Sequence, residues 1–509
     1  MTAGGPDATL ARHDVDSSTV VQLFKTRRAI REERGPDWFV PAHPEPRVGP
    51  FSAIERLLSA RRSLIEMFTE DDYTSGCTSM RVLGRRVVLV NSPETIKYVM
   101  VTNHDNYERK SPQLRRAIAP LVGDGLFISD GETWKTRRPL VSDIVHRNTL
   151  PMAGRSMESA IADMADRWEE QPAGAVFNAL PEMARLTAEI IARAVFGQKL
   201  SPAAAYDVVA GFSRFQALVD SVNIPYFLGA DDGWPLLKGP RLRKAIARID
   251  HVIEEVITEH LAGRGEHKSM LDLLVRRQAR SPQLGLDVSA LRNEAATIFM
   301  AGHEGSTATL TWALYMLSNA PWVEEAVRRE VETVVGDRSP TVADVANLKW
   351  SRAVIEETLR LYPSIPVMAR QARGADHIGN IAVEPNDLVL AVSWLLHRAK
   401  DLWDRPHHFL PERFLSAERP RPYTYIPFGI GPRICPGASF GLTESVLCLA
   451  SLVQRFEIRV AEGHRVEPNC RLSLRPLGGL PVTATPRASR TAGGIVDAGK
   501  APVQPEPLV

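Results

Sequence analysis

Residues 423–441 read YTYIPFGIGPRICPGASFG, and the rest of the chain takes its meaning from this stretch. Phe428, Gly431, Arg433, Cys435 and Gly437 fall in the order FxxGxRxCxG, just before an apolar segment that reads as a helix. A cysteine acting as a thiolate ligand needs its charge stabilised, and small neighbours let backbone N–H groups approach the sulfur. Gly431 and Gly437 give that freedom, since glycine has no Cβ to obstruct a close or left-handed path. Arg433, two residues before the sulfur, is placed to meet an anionic group on whatever Cys435 binds. A glycine-rich turn with an incidental cysteine would not need all five positions together.

Two other patterns lie outward from this loop. Glu357-Thr358-Leu359-Arg360 puts opposite charges at i and i+3 on one helix face, followed later by Pro411-Glu412-Arg413-Phe414. Trp134 and Arg138, at i and i+4 in WKTRR, follow the turn-rich GDGLFISDGE. Alone, the first would be a solvated pair and the second a stacked pair. In this order and with the cysteine loop, the chain resembles the cytochrome P450 family over residues 38–486.

That resemblance implies a fold class that is mainly α with minor β sheets, built as one large haem domain. It implies haem b (iron protoporphyrin IX) with Cys435 as the metal ligand and Phe428 in the supporting loop. Trp134, Arg138, Arg370 and Arg433 would face the propionates, where three guanidinium groups offset two carboxylates through charge-assisted bonds. Glu357, Arg360 and Arg413 would form a buried ionic triad behind the loop.

The apolar stretch ATIFMAGHEGSTATLTWALYMLS reads as the helix facing the metal. In the resembled family it carries AGxxT, with an acid or amide before a threonine that assists proton delivery. Here Ala301, Gly302 and Glu304 match, but Gly305 stands at the threonine position. Each helical step turns a side chain by about 100°, so Ser306 and Thr307 do not automatically replace it unless the helix bulges. Glu304, Gly305 and Ser306 are therefore the candidate catalytic positions on this side.

By resemblance the activity is O2-dependent oxidation of a mainly apolar small molecule. Electrons would come from a separate ferredoxin or flavodoxin with its reductase, since no sequence remains for a fused electron-transfer domain. The alternative prompted by Gly305 is a peroxide-using or electron-independent enzyme, such as a peroxygenase, isomerase or dehydratase. The expected substrate pocket is lined from Ser111–Phe127, Phe212–Phe227, Phe299–Gly305, Ile365–Met368 and Leu477–Leu480, with the region from Phe212 to Trp234 as a lid.

Composition narrows the setting. The chain has 509 residues, 62 basic and 60 acidic, and 44% hydrophobic side chains, the mix of a soluble globular protein. A net charge of +2 gives no global case for nucleic-acid binding. Length alone suggests about three domains, but the motifs from Trp134 to Cys435 converge on one site and require one. Residues 1–37 are expected to be a flexible segment and 487–509 a disordered tail. No signal sequence or membrane-length apolar run is apparent, so a cytoplasmic monomer is expected. Local patterning predicts one helix over SAIERLLSARRSLIEMF, a hairpin around Leu83-Gly84 and a closing hairpin over Gly478-Gly479. Cys77, Cys448 and Cys470 are read as inert thiols.

Overall fold

Helices dominate the computed structural model, which describes residues 38–487 apart from 146–148, 198, 219–223, 229–238, 262–268, 281–286 and 417. The expected terminal segments therefore lie outside the described residues except for Arg487, which is held by an ion pair with Glu324 at 2.5 Å, and most of the expected lid beyond Leu218 lies outside them too.

The first helix, α1 (Ala53–Arg62), opens on a capping box in which Ser52 and Glu55 satisfy each other's backbone N–H groups. It ends sooner than its periodicity predicts. Ser63 turns extended and its hydroxyl accepts the Cys470 N–H at 3.0 Å, so only a short turn, Leu64–Met67, follows. A long-range bond thus overrides a local helical preference. The predicted hairpin forms as β1 (Cys77–Val82) and β2 (Arg85–Val90), with Leu83 in the left-handed region between them.

Helices α2 (Pro112–Val122) and α3 (Gly131–Ile144) follow, then α4 (Ala179–Ile191) and α5 (Pro202–Leu218). The central helix α6 (Val288–Asn319) is capped by Asp287, which accepts the Ala290 N–H at 2.7 Å. It packs against α4 and α8 (Ala438–Arg455), with α7 (Lys349–Leu361) also beside it. A helix enclosed this way is apolar on nearly every face, which is why its polar members are informative.

Strands β3 (Met368–Gln371) and β4 (Leu388–Ala391) complete a four-stranded sheet in the order β1-β2-β4-β3, parallel only between β2 and β4. Arg370 pairs with Val389 in this sheet and forms an isolated bridge with Lys110, which ties the segment before α2 to the sheet. After α8, the chain forms β5 (Phe456–Val460), β6 (Pro468–Cys470), β7 (Leu474–Pro476) and β8 (Pro481–Pro486). The expected closing hairpin over Gly478-Gly479 does not form. Its first arm, β7, pairs with β6, while β8 pairs with β5 and with the two-residue strand Phe177–Asn178. The turn residues were legible, but the partners of its arms are set by packing at long range.

Candidate active site

A cavity of about 470 Å3 separates α6 from the loop that carries Cys435. Gly431 adopts a φ of 72°, and a Cβ there would lie 2.1 Å from the Met100 carbonyl oxygen. Only glycine allows the loop to pass so close to that backbone. The Cys435 N–H donates to the Phe428 carbonyl at 2.8 Å, closing the loop beneath the cavity. Cys435 is exposed and lines the cavity. Desolvation by the protein around it pushes the thiol up, whereas the Gly437 N–H and the charges of Arg138 and Lys110 work the other way.

The rear support is the predicted triad. Arg360 grips Glu357 with two bonds of 2.7 Å, both side chains fully buried, and Arg413 approaches the same carboxylate at 3.4 Å. His397, which sequence reading missed, links this triad to the cysteine loop. Its Nε2 accepts the Ile426 N–H at 2.9 Å, so the proton sits on Nδ1 and points to the Arg360 carbonyl at 3.1 Å. Burial, then the Arg360 charge, push its pKa down to about 3, keeping the ring neutral for both bonds.

Cations gather at one side of the cavity. The Arg433 guanidinium stacks 4.4 Å over the Trp134 ring, and all three of its nitrogens are buried without a hydrogen-bond partner. Its nearest carboxylate, Glu108, stands at 4.0 Å. Arg370 is buried beside it and is pushed down to about 9 by burial and by the Arg433 charge. Arg138 and Lys110 line the same cavity, and burial with the neighbouring arginines pushes Lys110 well below its usual range. A buried cation cluster with so little countercharge is unfavourable unless anions complete it. Two propionates at this edge, with a metal over Cys435, fit both observations. The expected Trp134, Arg138, Arg370, Arg433, Phe428 and Cys435 all line one cavity. Lys110, in YERKSPQ, carries no local signal in the sequence; its bridge to Arg370 reveals it.

The opposite wall is α6, which stays helical through residues 301–307 without a bulge. At Gly302 a Cβ would lie 2.4 Å from Ile191, so glycine permits the contact with α4; at Gly305 nothing lies within 4 Å, so the missing side chain leaves open space. Thr307 turns away from the cavity and bonds Thr187 at 2.8 Å. Ser306 faces the cavity and is hydrogen-bonded to Glu444 of α8, a fully buried carboxyl that burial pushes up to about 8. The second oxygen of Glu444 has no partner. Glu304 also lines the cavity, but its carboxylate is taken by Arg475, Ser473 and Gln216. Burial opposes its charge, yet Arg475 and its other partners hold its pKa below the usual value. Glu444 and Arg475 escaped sequence reading, although an acid inside the apolar GLTESVL helix was a signal.

The expected lining is met at Ser111, Leu126, Phe127, Phe212, Phe227 and Met368, but not at 477–480; Arg471 and Leu472 take that place because the β6–β7 turn, not the later one, reaches the cavity. Phe215 is buried in the core instead. The other cysteines are free thiols with raised pKa values, as expected of inert ones.

A thiol under a cation-edged cavity fits the haem-thiolate class of protein. The sequence profile of the cytochrome P450 family matches residues 56–480, and the chain belongs to that family. It is 30% identical to cyclooctatin synthase of Streptomyces melanosporofaciens over 78% of this chain and 85% of that protein. It is 30% identical to the chloroplastic protein LUTEIN DEFICIENT 5 of Arabidopsis thaliana, over 79% of this chain and 70% of that one. Cytokinin hydroxylase of the same plant is 27% identical over 76% of each. The single haem domain, the haem-thiolate cofactor and the oxidoreductase class follow from this membership. No helix among the described residues is long and apolar enough to cross a membrane.

Proposed function

We propose that this chain is a cytoplasmic, bacterial-type monooxygenase that places one atom of O2 into a mainly apolar small molecule. The other oxygen atom leaves as water, consuming two electrons and two protons, and the electrons come from a separate ferredoxin or flavodoxin with its reductase. Haem held by Cys435, when bound, supplies the oxygen chemistry, since the thiolate favours O–O cleavage.

The remaining work falls to the protein. Arg138, Arg370, Arg433 and Lys110 anchor the cofactor's carboxylates and Trp134 braces Arg433. Apolar side chains such as Leu126, Phe127 and Val367 hold the substrate and exclude water.

The Ser306–Glu444 pair carries this reading. Ser306 rests as donor to Glu444; for a relay the bond reverses, the neutral carboxyl donating to Ser306 as Ser306 donates into the cavity, and Glu444 regains its proton from water. This supplies the proton path that Gly305 lacks. Glu304, neutralised by Arg475, fixes the cavity wall.

The open space at Gly305 would by itself suit the peroxide-using or electron-independent alternative. Turnover separates them, using a compound that shifts the haem spectrum. NAD(P)H with a surrogate ferredoxin and reductase is expected to give the most product. Equal or greater product from peroxide, or from no reductant at all, would overturn the monooxygenase reading.

A further inference from the structure

Away from the cation edge, two of the described residues lining the cavity carry buried polar groups that no protein partner satisfies. Gln113, in the first turn of α2, has both its side-chain nitrogen and oxygen buried and without a hydrogen-bond partner. Its position is fixed by the Ser111 cap, whose hydroxyl accepts the Leu114 N–H at 3.3 Å. Thr297, one helical turn before Ala301 on α6, is 4% exposed and its hydroxyl is likewise unpartnered. Both residues line the cavity, whose wall is otherwise mostly apolar.

Among the described residues, each charge that lines the cavity has a protein partner or stands at the cofactor's edge. Arg56 is bound to Asp72 at 2.6 Å and to the Met67 carbonyl at 3.1 Å, and Arg471 donates to the Ala217 carbonyl at 2.9 Å. Glu304 is neutralised by Arg475. Lys110, Arg138, Arg370 and Arg433 stand with Cys435 at the cofactor's edge. Among the described lining residues this leaves no carboxylate for a substrate ammonium, and no cation outside the cofactor's edge without a partner for a substrate carboxylate, so either charge would be buried poorly paired, which is unfavourable.

We propose that Gln113, assisted by Thr297, forms a polar subsite selecting a neutral, largely hydrocarbon substrate that already bears a hydroxyl group. A primary amide offers donors and an acceptor, and a hydroxyl answers both, whereas a hydrocarbon leaves them unsatisfied. The proposal rests on the monooxygenase reading and sharpens its substrate class.

The test compares compounds of one shape: cyclododecane, cyclododecanol and cyclododecanecarboxylic acid, each titrated into the haem-loaded protein by its absorbance shift. In the wild type the alcohol is expected to bind about tenfold more tightly than the hydrocarbon, and the acid most weakly. Gln113→Leu is expected to bring the alcohol-to-hydrocarbon ratio close to one, and Thr297→Val to lower it by a smaller factor. A ratio unchanged in Gln113→Leu, or no shift with any compound, overturns the subsite. In those cases a retained thiolate-type band of the reduced CO complex leaves the enzyme reading standing. Its absence from the wild type would bring down both together.

Discussion

Replacing Arg360 by alanine is expected to cost about 3–5 kcal/mol and to leave protein that incorporates little haem. Removing one partner of a fully buried pair leaves the other charge, here Glu357, with only the longer 3.4 Å contact of Arg413 to offset it. The carbonyls of His397, Pro406 and His408, at 2.7, 2.7 and 3.0 Å, lose their donor as well. Against a total stability of roughly 5–15 kcal/mol, such a loss is a large fraction. His397 carries the damage to the cysteine loop, because it binds both the Arg360 carbonyl and the Ile426 N–H. The surface pair Arg338–Asp344 gives a contrast: Arg338 is 51% exposed, and its alanine variant should lose about 1 kcal/mol or less. Denaturant midpoints and haem content would measure both. An Arg360→Ala protein as stable and as haem-replete as Arg338→Ala would refute the structural role of the triad.

Glu444→Gln should sharply reduce product formed per NAD(P)H consumed while substrate binding and the reduced CO spectrum stay unchanged. A positioned proton donor contributes roughly 10²–10⁴-fold; water replaces part of this, so a loss of about tenfold is expected. Ser306→Ala should behave alike, since the two act as one path. The pH dependence gives the sign. Burial pushes Glu444 up to about 8, so it is neutral and holds its proton below that pH. Wild-type coupling should therefore fall as pH rises through about 8, and Glu444→Gln should lack that decline. Coupling unchanged in both variants across this range would dismiss the path.

The sequence was most legible where function constrains short spacings. FxxGxRxCxG, ExxR and WxxxR are each local, and the fold brings their side chains to one cavity or directly behind it. The hairpin at Leu83-Gly84 was equally local, resting on alternation and a turn. What escaped depends on distant partners. Ser63 ends α1 because Cys470 N–H needs an acceptor. Lys110 joins the cation edge through the bridge to Arg370, and Arg475 meets Glu304 across 171 residues of chain. The departure at Gly305 was visible in the sequence, but its counterpart was not, because Ser306 and Glu444 are 138 residues apart. No local pattern encodes such pairs; they appear only once helix α8 packs against α6.

The identity of the sulfur ligand is tested most directly by the absorption spectrum of the reduced, CO-bound protein. Wild-type protein is expected to show the thiolate-type band of its family. Cys435→Ser should lose that band, while Cys448→Ser, in the same helix region but buried in the core, should keep it. A thiolate-type band that survives Cys435→Ser would contradict the account at its centre.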